Sequence, residues 1–565
     1  MTNTKRSWSF FLAAFLFVAA VSLSAGRPAA GFRSDEGLAA KIDALLDKTY
    51  KTGEPGAALL VKKDGRILHR KGYGTADLEL GIPVDPDMSF RLGSITKQFT
   101  SVCILMLEER GKLSIKDPID KYLPDYPMQG KTISIENLLT HTSGVVDYTS
   151  LSEWMPLWRK DMSVAEIIAL FKDKPLDFAP GEHWRYSNSG YILLGAIIEK
   201  ASGETYEDFV RKNIFEPLGM KHSYYGSAMR VLPRRIPGYG LDRNGFANAP
   251  YISMTQPYAA GSLLSSVDDL ALWNEALLSN TLIKKESLAR AWTPFKLNDG
   301  TNSGYGYGWE ISDYEGHRLI EHGGGIMGFS TYGMLFPDDR ISIVLLTNSA
   351  IENRSPAPFA EKVADLVLGV TRKELKSVTL GEKDLAPLPG LYIDWQKATI
   401  SISREGTKIY AQSTGGLKRE LAALSPLEFA FTDRPTRLTF EKSAAGEITG
   451  LTVRGRVGVP GQFVRIGKAP AAERKVAAVD PKIYDRYAGE YAFTPDFVFV
   501  LTIEDGRLMA QATGQPKIEL FPESETRWFL KVVDAQVEFQ LDGTGQVTGL
   551  ILTQGGKNIP AKKTK

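Results

Sequence analysis

The sequence predicts an α+β layer architecture over its first two thirds, followed by two small all-β domains of barrel type. Three observations carry this: a hairpin signal early in a helix-rich region, a strand–helix pair that closes that region, and an internal repeat in a strand-rich tail. At 565 residues the chain exceeds a single core, so roughly two to four domains are expected.

The elements follow in order. Lys5 and Arg6 precede an apolar stretch from Trp8 to Leu23, and the small residues Ser22, Ser24 and Ala25 come next. This is the order of a signal peptide, predicted over residues 1–25. An uncleaved anchor is the alternative, since the run is near the lower limit for spanning. Export to the periplasm or the exterior is therefore expected, with no stable membrane anchor once the leader is removed. Ser34 is positioned to cap a helix with the apolar face Leu38, Ile42, Leu45 and Leu46, stopped by Gly53 and Pro55. Ala57–Val61 and Ile67–Tyr73 read as strands joined at Asp64-Gly65, a strong hairpin signal. The strand Ile341–Leu346 and a helix over Phe359–Leu368 close the first unit, predicted to span 32–372.

From about residue 385 short alternating strands take over, as in Leu438 and Phe440 or Val537, Phe539 and Leu541. Gly390, Ala411-Gln412, Lys418, Glu420-Leu421 and Thr449-Gly450-Leu451 recur as Gly489, Ala510-Gln511, Lys517, Glu519-Leu520 and Thr548-Gly549-Leu550. The spacing, about a hundred residues, is domain-sized rather than a solenoid period. Two copies of one all-β domain are predicted, at 385–467 and 480–558, with residues 467–480 as the linker. Barrels are favoured because closure hides strand edges.

Composition excludes several functions. A formal charge of +2 without a basic segment argues against a nucleic-acid partner. The single cysteine, Cys103, rules out an intrachain disulfide and lies in an apolar helix as a core residue. The six histidines lack metal-ligand spacing, so neither a metal nor a cofactor is expected. No G-x-S-x-G elbow occurs.

Chemistry gathers in three places. Ser94-Ile95-Thr96-Lys97 opens the apolar segment Phe99 to Leu107, so Ser94 and Lys97 share one face a turn apart. A lysine in the first turn of a buried helix tends to its neutral form, as a general base requires. Alternatively, Ser94 caps the helix and Lys97 snorkels to solvent. Tyr186 and Asn188, two residues apart in an extended segment, can enter one cleft, the phenol relaying protons and the carboxamide orienting an amide. A helix cap with a core tyrosine is the plainer reading. His322-Gly323-Gly324-Gly325 lets a substrate approach backbone N–H groups, or is simply a flexible turn.

In combination, with Leu138-Leu139-Thr140-His141-Thr142-Ser143-Gly144, Pro217-Leu218-Gly219-Met220 and Tyr305-Gly306-Tyr307-Gly308-Trp309 between and around them, these motifs resemble the class C β-lactamase, D-alanyl-D-alanine carboxypeptidase and D-aminopeptidase superfamily over roughly residues 35–370. The resemblance implies a β-lactamase/transpeptidase-like antiparallel sheet flanked by helices. It further implies Ser94 as acylated nucleophile, Lys97 as its base and Tyr186 as proton carrier. Asn188, His322 and Gly324 would contact substrate, and Gly325 would share an oxyanion hole with the Ser94 N–H. Histidine at 322, where many such enzymes carry lysine, removes a fixed charge for a substrate carboxylate. That favours peptides containing a D-amino acid, with amides, esters and β-lactams as alternatives, and an acylating sensor or scaffold as a different class. His141 reads as a loop-packing residue, and Trp154 and Trp158 as ordinary packing. Oligomerisation through the β-domains is an open expectation.

Overall fold

The computed structural model describes residues 34–565 except 243–244, 372–375, 414–415, 433–435, 457, 468–475, 495–496, 505, 514–516, 531–534 and 555–556. The expected leader and most of the expected linker lie outside the described residues.

Helix α1 (Ser34–Leu46) leads into β1 (Ala57–Lys63) and β2 (Arg66–Tyr73). Asp64 and Gly65 both take positive φ, 48° and 77°, as a tight hairpin turn between twisted strands requires. Four later strands, β3 (Glu310–Tyr314), β4 (His317–Ile326), β5 (Phe329–Phe336) and β6 (Ile341–Thr347), complete a sheet ordered β3-β4-β5-β6-β1-β2. All neighbours in it are antiparallel. Two inner strands, β6 and β1, are mostly apolar because both faces are covered: every residue from Ala57 to Val61 and from Ile341 to Thr347 is buried. On one face Leu59, Ile343 and Leu345 pack with Ile42 and Leu46 of α1 and Ala360 and Val363 of the closing helix. On the other, Leu60, Val344 and Leu346 join a larger core with α2 (Thr96–Glu109), α3 (Asn188–Ser202) and α4 (Val267–Leu278). The closing helix, α5 (Pro356–Leu368), starts three residues before its predicted first residue, Phe359, with Pro356 at its first position, where a missing N–H costs nothing.

Helix α2 is buried from Thr96 to Leu107, as its all-round apolar pattern predicts. Phe99 stacks on Trp273 of α4 at 4.1 Å, and the Trp273 indole N–H donates to Gln98 Oε1 at 3.2 Å. The start of α2 is thus clamped against the sheet, and that is where the first chemical motif sits.

Two closed eight-stranded barrels follow, β7–β14 between Gly390 and Gly467 and β15–β22 between Gly489 and Lys563. Their duplication extends to detail. Tyr392 donates to Leu388 O at 2.7 Å and Tyr491 to Tyr487 O at 2.8 Å, while Lys418 pairs with Glu405 and Lys517 with Glu504. Two expectations change. The last strand, Lys557–Lys563, carries the second barrel past the predicted limit of 558 and closes it against Tyr491 and Ala492; polar residues and Pro560 hide it from a hydrophobic pattern. Val537 and Phe539 face the core, but Leu541 is exposed, because a bulge between Gln540 and Leu541 shifts the register and turns its side chain outward.

Candidate active site

Ser94 lies in a 3-10 turn, Gly93–Ile95, that feeds α2, and Lys97 occupies the first turn of α2 itself. Lys97 is fully buried. Its Nζ lies 3.2 Å from Ser94 Oγ, 2.8 Å from Asn188 Oδ1 and 2.9 Å from the carbonyl oxygen of Ala260. Among the described residues no carboxylate bonds it. Burial pushes its pKa down to about 7, against a smaller upward pull from Asp147. Two acceptors absorb the two N–H bonds of the neutral amine, leaving its lone pair for Ser94 O–H. The snorkelling alternative is therefore excluded by geometry.

Asn188 is the first residue of α3, and the cap is Ser187, whose hydroxyl accepts from Gly190 N. The helix signal and the chemical signal thus fall on adjacent residues. The expected free carboxamide is only half free: its oxygen is taken by Lys97, and its Nδ2 makes a long 3.3 Å contact with Thr149 Oγ1. Asp147 Oδ1 accepts from Asn188 N at 2.9 Å and orients the residue.

The Tyr186 ring faces Lys97 Nζ at 4.7 Å. Its hydroxyl is buried beside Ser94 without a hydrogen bond of good geometry, and burial holds its pKa well above the ordinary value. Behind it stands an aromatic layer of His141, Tyr191, Tyr305 and His322. His141 Nδ1 accepts from Ser187 N at 3.1 Å, so the loop-packing reading describes its visible contact.

His322 departs from expectation. It is buried on β4, with Nδ1 against Gly323 O at 2.6 Å and Nε2 against Tyr305 Oη at 2.9 Å. A carbonyl only accepts, so Nδ1 carries the proton and Nε2 accepts from Tyr305. Burial, reinforced by Lys97, lowers its pKa to about 3, so the ring is neutral. With both nitrogens engaged, His322 braces the site from behind rather than presenting a free ring nitrogen. Tyr305, which the sequence displayed in its Tyr-Gly-Tyr-Gly-Trp motif without a role, holds it.

Gly324 has a packing reason for being glycine. A Cβ there would lie 1.9 Å from Leu92 O and 2.3 Å from Thr331 Oγ1, so glycine is needed for β4 to close on the turn before Ser94. Gly93, at φ 55°, meets Gly325 on the same terms: a Cβ there would lie 2.8 Å from Gly325 N. Gly325 itself is exposed, with nothing within 4 Å of an added Cβ. The Ser94 turn and the Gly325 backbone are thereby brought side by side. Beyond Gly325, Ile326 and Met327 join Trp154, Trp158, Leu232 and Ile252 in a partly exposed apolar cluster. Both tryptophans pack as expected, Trp154 against the main core as well as this cluster. Cys103 is core, as expected. Among the described residues no group of His, Cys, Asp and Glu could hold a metal ion.

A family model described as Beta-lactamase matches residues 38–367. The chain belongs to the beta-lactamase family. It is a serine hydrolase of that family. A second model, a domain of unknown function called DUF3471, matches residues 473–562 and so covers the second barrel. Penicillin-binding protein 4* of Bacillus subtilis (strain 168) is 28% identical over 542 residues, covering 93% of this chain and 98% of its own. Among solved structures, the octameric penicillin-binding protein homologue from Pyrococcus abyssi is 26% identical with a TM-score of 0.52, over 76% of this chain and 99% of its own. D-amino acid amidase from Ochrobactrum anthropi SV3 is 25% identical with a TM-score of 0.53, over 59% and 99%.

Proposed function

We propose that the protein is an exported hydrolase that acts through a Ser94 acyl-enzyme on small peptides or amides containing a D-amino acid. The observation that carries this is Lys97 Nζ, dehydrated, bonded to two neutral acceptors and 3.2 Å from Ser94 Oγ. Ser94 Oγ attacks the substrate carbonyl while its proton passes to Lys97 Nζ. The N–H groups of Ser94 and Gly325 receive the oxyanion. Because burial keeps Tyr186 protonated, the phenol works as a relay: it accepts the Lys97 proton as it delivers its own to the leaving amine. Water then cleaves the ester by the reverse route. Asn188 Nδ2 is left to meet the substrate's acyl side.

A neutral His322 where lysine would stand supports neutral-headed substrates, amides first and esters second, over β-lactams and carboxylate-ended peptides. The amidase from Ochrobactrum anthropi supports the D-amino amide class. Export is inferred from the leader motif. Self-association through the barrels is supported by outward-facing Val464 and Ile466 on β14 (Gly461–Gly467) and by the octameric archaeal homologue; the solution mass of the full chain tests it.

The experiment is acylation by a fluorophosphonate probe, with Ser94→Ala beside the wild type, followed by turnover of D- and L-amino amides, esters and a cephalosporin. Labelling lost in Ser94→Ala, with D-amino amides turned over fastest, is expected. Persistent labelling of Ser94→Ala would refute the nucleophile; labelling without any turnover would make the protein an acylating sensor.

A further inference from the structure

The first barrel touches the catalytic unit where the site is anchored. The loop 455–460 joins β13 (Ile448–Arg454) to β14. From it Arg456 Nη2 donates to Glu321 Oε2 at 3.1 Å, Glu361 Oε1 at 3.1 Å and Tyr332 Oη at 3.0 Å, and its guanidinium lies over the Tyr314 ring. Tyr332 in turn donates to Glu321. Glu321 is fully buried and directly precedes His322 on β4. The same loop places Gly458 against Gly304, where a Cβ would lie 2.7 Å from Gly458 N; Gly304 directly precedes Tyr305, which holds His322. On the other flank Trp395 of the barrel stacks at 4.1 Å on His183, three residues ahead of Tyr186, and meets Phe178 edge-on.

The two barrels differ at these contacts. In the repeat register Trp395 corresponds to Thr494 and Arg456 to Gly555. In the second barrel the corresponding strands end at Gln554 and restart at Lys557, without the longer loop. Shared residues build the barrel, while the residues that grip the catalytic unit belong to the first copy alone.

We propose that Arg456 is a positioning residue for the hydrolase site, neutralising Glu321 on the strand that carries His322 and Gly325 so that the first barrel is part of the active-site scaffold. This rests on the acyl-enzyme reading above. Facing Glu321 are Glu310 and Ser312 of β3, Tyr332 of β5, Glu361 of α5 and Arg456. Glu310 is already raised to about 7 by burial and by Glu321, with Arg456 opposing. Without Arg456 the pocket holds carboxylates and no cation bonded to Glu321. An uncompensated buried charge is relieved by protonation or by movement of the strand that bears it.

The test measures fluorophosphonate acylation of the full chain between pH 6 and 9, with folding checked by circular dichroism and melting. Arg456→Met is expected to acylate about tenfold more slowly or worse at pH 7. The ratio of wild-type to variant rate should grow with pH, as Glu321 ionises. Adding Glu321→Gln should flatten that ratio and restore most of the rate. A purely structural tie would lower the melting temperature without changing the rate of folded molecules. If Arg456→Met does not fold, Arg456→Lys, which keeps the charge but not the fork, should show a smaller loss with the same pH trend. A folded Arg456 variant with wild-type rate and profile, or a double variant without rescue, overturns the proposal. An unlabelled wild type would instead overturn the acyl-enzyme reading.

Discussion

Replacing Asn188 by aspartate puts a carboxylate where Lys97 Nζ now meets a neutral amide oxygen at 2.8 Å. The change is isosteric, and an acidic residue suits the first turn of α3, so the fold should tolerate it. With its pKa near 7, Lys97 is about half neutral at pH 7. An opposite charge this close raises a lysine pKa by about 1–3 units. The neutral fraction at pH 7 then falls to between about one in ten and one in a thousand, and acylation slows by about 5- to 500-fold. The limiting rate at high pH should survive, because the base is still present. Fluorophosphonate labelling from pH 5.5 to 10.5 reads both quantities. Wild-type labelling should rise through about pH 7 as Lys97 loses its proton, and the Asn188→Asp curve should be displaced to alkaline pH. A variant slowed equally at every pH would refute the role of desolvation in setting the base.

Tyr305→Phe removes the donor to His322 Nε2 and leaves that nitrogen buried and unpaired; urea unfolding should register a loss of about 1–3 kcal/mol. Unchanged stability would overturn the tautomer assigned to His322. Gly324→Ala drives a methyl into Leu92 O, so β4 must retreat from the Ser94 turn and acylation should fall about 100-fold. Gly325→Ala, with open space around its Cβ, should melt at the wild-type temperature, and a large drop would contradict the exposed placement of that residue.

What the sequence made legible was local. Ser94 and Lys97 are three residues apart on one helical face, and the hairpin turn advertises itself in Asp64-Gly65. The strands over Ala57–Val61 and Ile341–Leu346 were legible from their apolar content. The contacts that give Lys97 its character were not legible, since Asn188 and Ala260 arrive from 91 and 163 residues away. The setting of His322 was not legible for a related reason: its neighbours Gly323 to Gly325 suggest an open loop, but β4 runs through them and buries the ring against Tyr305. Arg456 belongs to another domain altogether, and no periodicity marks a side chain whose partner lies across an interface. The Leu541 bulge and the strand at Lys557–Lys563 depend on ladder register and barrel closure, which alternation alone does not encode.

The pairing of β1 with β6 has a consequence for how the molecule comes into being. Ala57 lies opposite Thr347, so the middle of the sheet joins stretches of chain nearly as far apart as the catalytic unit allows. Loop closure on that scale must precede any reward from the central ladder, and sheets of this kind form slowly. A ribosome delivering the chain in order supplies the serine long before β4, β5 and β6 exist to form its surroundings. The nucleophile should therefore stay inert throughout synthesis, a property measurable as the absence of probe labelling in nascent chains that stop short of residue 341.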